Sequence, residues 1–115
     1  MNFSTPTLIV NKTIALNNLD RMINVANKNN LILRPHFKTH QSIEIGNWFK
    51  EKGVTSITVS SITMAEFFSS EWDDITIAFP LNILEIDKLN FMIRRNKVKL
   101  LIDSISSLKI LNRQL

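Results

Sequence analysis

The chain has no cysteine among its 115 residues. That removes disulfides and thiolate metal sites and is neutral between compartments. It has only two glycines, Gly46 and Gly53, and no Gly-rich phosphate turn, so a Rossmann or P-loop reading loses its main support. No apolar run approaches the ~18 residues of a membrane span. Met1 to Pro6 carries neither a basic region nor a long apolar core and does not read as a signal peptide. The expectation is a cytoplasmic protein with no membrane partner. Charge of one sign is also scarce. The net charge of +4 is dispersed, densest over Arg94-Arg95-Asn96-Lys97-Val98-Lys99. That run reads as the last turn of a helix followed by a solvated loop, because no aromatic interleaving accompanies it. Nucleic acid is not an expected partner.

What is present is an ordinary globular composition, 44% apolar and 21% charged, enough for one core. Thr7 to Val10 reads as a short strand. Residues 13–28 show helical spacing, with Ala15, Leu19, Met22 and Ala26 facing inward. Leu31 to Leu33 reads as a strand. Ser42 can cap a helix over 43–52, and Gly53 stops it. The same alternation follows. Ser56 to Val59 is a strand, and a helix around 63–70 opens on a capping box, Thr63 to Glu66. Ile75 to Phe79 is a strand closed by Pro80. Asn82 starts a helix to about Arg95 with Ile86, Leu89 and Ile93 as its inner stripe. Val98 to Ile102 is the last strand, and Ser104 opens a final helix.

Strands beginning near 31, 56, 75 and 98, each followed by a helical segment, predict parallel strands with crossover helices. Two α/β architectures fit: an open doubly wound sheet, or about the first four βα units of a (β/α)8 TIM barrel, which needs ~250 residues to close.

The stretch Arg34-Pro-His-Phe-Lys-Thr-His40 carries the chemistry. A lysine leaving a buried strand end is useful where it must lose its proton and attack a carbonyl, as in Schiff-base formation. The bland alternative for Lys38 is a snorkelling surface lysine. His36 alternates with Lys38 along an extended segment, so both should face the same way. His40 can orient a ligand or move a proton. For either histidine the alternative is a neutral ring, hydrogen-bonded within the barrel mouth. Arg34 either neutralises a phosphate or carboxylate or ends the strand as a paired charge, and the second is favoured. Thr39 either caps the next helix or contacts a ligand. Two histidines four apart suit zinc on a helix, but Pro35 and the strand context argue against it, and no metal ligand is assigned.

These residues carry a resemblance. Thr5 to Val10, Asn18-Leu19 with Met22, Leu33 to His40, Val54, Ile57 to Val59, Ala65-Glu66 and Asp74 to Pro80 resemble, in order, the opening of the D-threonine aldolase / D-serine dehydratase family. That family lies within the alanine-racemase-like class of pyridoxal-phosphate enzymes. The resemblance implies that residues 1–115 are the N-terminal portion of a pyridoxal-phosphate-binding barrel domain, with an N-terminal strand and helix before the barrel. By the same resemblance, the second half of the barrel and the C-terminal β domain are expected to be absent from these residues. It implies a lyase acting on a D-3-hydroxy amino acid of the D-threonine or D-serine type, with Lys38 forming the internal aldimine and His40 also catalytic. His36, Thr39 and His40 would join Lys38 in binding the cofactor. A divalent metal, zinc or manganese, and a homodimer belong to a full-length form. The alternatives are a non-catalytic pyridoxal-phosphate carrier and an inactive remnant.

Overall fold

The computed structural model describes residues 4–114, divided into two compact units, Met1–Leu33 and Arg34–Leu115. In the first, helix α1 (Lys12–Lys28) starts at Asn11, whose side chain accepts the Ile14 N–H, a common cap for orphan amides. It ends where Asn30 adopts φ +53° and the Leu31 N–H closes onto Ala26 O at 2.9 Å. Leu19 and Ala26 are buried as expected, whereas Met22 is exposed. The strand expected at Thr7 to Val10 is not formed. The run carries no regular structure, and Leu8, Ile9 and Val10 are exposed.

The second unit holds α2 (Ile43–Glu51), β1 (Ser56–Val59), α3 (Ile62–Phe68), β2 (Asp74–Pro80), α4 (Ile86–Met92), β3 (Lys97–Leu101) and α5 (Ile105–Gln114), with 3-10 turns at Phe37–Thr39 and Ile83–Glu85. Ser42 caps α2 through the Ile45 N–H. Gly53 ends it at φ +84°, a conformation that costs a residue without Cβ little. Ser61, not Thr63, caps α3: its Oγ accepts the Met64 N–H, and the Thr63 hydroxyl donates to Glu85 instead. The capping box expected at Thr63 to Glu66 is therefore replaced by a cap two residues earlier.

The strands form a parallel sheet in the order β1-β2-β3. Paired residues in a parallel ladder share a face. One face carries Ile57, Val59, Ile75 and Ile77, all buried together with Ile62, Ala65 and Phe68 of α3 and Ile86, Leu89 and Met92 of α4. Ile93, expected in that stripe, is 38% exposed, because α4 ends at Met92. The opposite face carries Ser56, Thr58, Asp74, Thr76, Lys97 and Lys99. Lys97 and Lys99 thus belong to a strand rather than to a solvated loop.

The strand expected at Leu31 to Leu33 is also missing. Pairing with β1 is displaced to the next residues and reduced to one parallel bridge, His36 with Thr58. The Thr58 N–H donates to Pro35 O at 2.8 Å. Pro35 has no N–H with which to extend a ladder. Among the described residues, three strands and one bridge stand where strands near 31, 56, 75 and 98 were expected.

Candidate functional site

Lys38 lies in the 3-10 turn Phe37–Thr39, just past the bridge at His36. In a parallel sheet this is the edge where β1 and β2 also end, at Val59 and Pro80. The turn is built from its own polar groups. His36 Nδ1 accepts the Lys38 N–H at 3.3 Å, and the Thr39 hydroxyl donates to His36 O at 3.3 Å. Phe37 is its anchor, with 0% exposure. The ring lies within 4.5–5.2 Å of the His40, Phe49, Phe68 and Trp72 rings by centroid. Gly46 permits this: a Cβ there would sit 3.0 Å from the Phe37 ring.

This geometry changes two expectations. Lys38 is exposed rather than buried at a strand end, and its ammonium makes no hydrogen bond or ion pair with the described residues. The alternation that should put His36 and Lys38 on one face stops at His36, because the 3-10 turn breaks the extended backbone. His36 itself shares a face with Thr58, and so with Thr76 and Lys99, through the ladder register.

His40 packs among aromatic rings. Its ring stacks on Phe49 at 5.9 Å and meets Phe68 edge-on at 6.3 Å. Its Nδ1 accepts the Ser42 N–H at 3.1 Å, which leaves the ring proton on Nε2, an atom buried without a hydrogen-bond partner among the described residues. Burial lowers its pKa. The His36 pKa is lowered as well, by burial and by the Lys38 charge. Both rings are thus held neutral as backbone caps on either side of the lysine.

Arg34 takes the paired role favoured from sequence. Its guanidinium grips Asp74 with both arms, Nη1–Oδ1 at 2.7 Å and Nη2–Oδ2 at 3.1 Å. Lys99 reaches the same Oδ1. The Arg34 fork and the Lys99 ammonium hold the Asp74 carboxyl far below the usual carboxylate range. Neither Asp74 nor Lys99 was a sequence candidate, since Arg34 and Asp74 lie 40 residues apart in the chain. Beyond the strand ends lies a cleft of about 330 Å³, lined in part by Ser60, Ser61, Phe79, Leu81 and Asn82.

No protein-family profile matches the chain. It is 31% identical over 114 residues to D-serine dehydratase of Dictyostelium discoideum, covering 94% of this chain and 29% of that protein. It is 28% identical over 109 residues to D-threo-3-hydroxyaspartate dehydratase of Delftia sp., again across 29% of its relative. The solved structure of the Delftia protein superposes with a TM-score of 0.86 at 26% identity, covering 96% of this chain and 30% of that one. D-threonine aldolase from Filomicrobium marinum shares the fold, with a TM-score of 0.89 at 22% identity over 96% of this chain and 31% of that one. The chain therefore spans under a third of the length of these relatives. Over that span it is similar to proteins named D-serine dehydratase and D-threo-3-hydroxyaspartate dehydratase and has the fold of a D-threonine aldolase.

Proposed function

We propose that the chain carries the lysine-bearing part of a pyridoxal-phosphate-dependent lyase acting on a D-3-hydroxy amino acid. The observation that carries this reading is Lys38: an exposed amine, without a hydrogen bond or ion pair among the described residues, on a short, internally hydrogen-bonded turn at the C-terminal edge of a parallel sheet. That edge is where barrel enzymes assemble their sites. The parallel β1-β2-β3 order with intervening helices agrees with a barrel segment. Residues 34–114 would be early βα units of that barrel.

Lys38 fits a covalent link to the cofactor's aldehyde. His36 Nε2 is the ring atom left to face the bound group, since Nδ1 is committed to the Lys38 N–H. Thr39 and His40 act through the turn itself, because the Thr39 hydroxyl and the His40 Nδ1 are already taken by backbone groups. When bound, pyridoxal phosphate supplies an electron sink for charge developing at the substrate's alpha carbon. Among the described residues no three His, Asp or Glu side chains gather to hold a metal ion.

The reading is tested by adding pyridoxal phosphate to the chain, trapping any link with borohydride and locating it by mass spectrometry. Lys38 should be modified in preference to the other lysines, and Lys38→Ala should abolish the selective product. Modification spread evenly over the lysines would overturn the reading. Selective modification without turnover of D-serine or D-threonine favours the carrier reading, which the packing of His40 among aromatic rings also supports.

A further inference from the structure

Lys38 is held by a turn that follows an almost unpaired segment, and something must fix that segment against the sheet. Leu31 to Leu33 forms no strand, and one bridge with two hydrogen bonds from Thr58, to Pro35 O at 2.8 Å and to Arg34 O at 3.4 Å, joins residues 34–36 to β1. The Arg34 side chain reaches further. It passes β1, where Nη1 lies 3.5 Å from Ile57 O, and grips the Asp74 carboxylate of β2 with two parallel bonds. Lys99 of β3 meets the same carboxylate. One carboxylate thus ties the segment leading to Lys38 to both further strands. A planar fork fixes direction as well as distance, which an ammonium cannot do.

We infer that Arg34 and Asp74 are positioning residues that hold the Lys38 turn at the sheet edge in place of the strand pairing that Leu31 to Leu33 does not make. The inference rests on the proposed role of Lys38. Three residues separate Arg34 from Lys38, and the path between them is stiff: Pro35 restricts the backbone, His36 caps the turn and Phe37 is buried. Displacing Arg34 therefore displaces the amine. The alternative for Arg34, a grip on an incoming phosphate, is disfavoured because both arms of its fork already hold Asp74.

The test uses the full chain, pyridoxal phosphate, borohydride trapping and peptide mass spectrometry, and reads the Lys38 share of all lysine modification. Arg34→Lys keeps the charge and loses the fork; Asp74→Asn keeps the shape and loses the charge. Two variants are compared so that loss of fold in one, seen by circular dichroism, leaves the other to decide. Each should lower the Lys38 share at least fivefold. Leu89→Ala, a core change in α4 remote from the turn, should lower the thermal midpoint yet leave the share within twofold of the parent. A folded variant that keeps the parental share would overturn the positioning role while leaving the proposed function intact. So would an equal loss of share in Leu89→Ala, since any destabilisation would then suffice. A parent chain without selective modification would instead remove the proposed function, and this inference with it.

Discussion

Asp74 shows how one side chain can serve both stability and position. Its carboxylate takes the Arg34 fork and the Lys99 ammonium in a half-buried setting. A charge-assisted hydrogen bond contributes about 1.5–3 kcal/mol, and partial exposure reduces that through screening. Asp74→Asn should therefore cost about 1–2 kcal/mol at pH 7 in a urea titration. The sign of its pH dependence follows from the depressed pKa. The native state binds the proton more weakly than the unfolded chain, so the contribution is present above the ordinary carboxylate pKa. It is lost progressively as pH falls below about 4. The gap between parent and variant should close in acid; a gap constant from pH 7 to pH 3 would show that the charge is not responsible.

At the scale of elements, local sequence chemistry and long-range packing divide the work. The caps at Asn11, Ser42 and Ser104 are local, each accepting an amide three residues on, and the last two are legible in the sequence for that reason. The cap of α3 shows the limit of such reading. Ser60, Ser61 and Thr63 are all suitable residue types, and the choice of Ser61 depends on where β1 stops. Ser61→Ala should destabilise by about 1 kcal/mol. Thr63→Val, which loses only exposed bonds to Glu85 and from Lys88, should change the denaturation midpoint far less. The reverse order would restore the cap to Thr63. The strand expected at Leu31 to Leu33 failed for a related reason. An apolar triplet such as Leu31 to Leu33 is compatible with a strand, but a strand exists only if a neighbour pairs with it, and β1 pairs with the residues around Pro35 instead.

At the scale of the whole molecule, pH reports on the two histidines together. Both are neutral caps with pKa values lowered by burial, so the unfolded chain takes up protons before the folded one as pH falls below about 6.5. Their contribution is complete above that pH and is lost below it. The thermal midpoint should drop between pH 7 and pH 5, and His40→Gln should flatten part of that drop. A midpoint indifferent to pH in this window would mean that neither ring is held neutral. The alternation of strands and helices, the three strands near 56, 75 and 98, most helix starts and the singular character of Arg34 to His40 were all determined by sequence, because they rest on residue periodicity and on side chains that act within a few positions. The tertiary structure alone decided that Lys38 sits exposed on a 3-10 turn, that His40 enters an aromatic cluster, and that Arg34 finds Asp74 across 40 residues. Those outcomes depend on register between segments distant in the chain, and register is fixed by packing the apolar sheet face against α3 and α4 rather than by any local pattern.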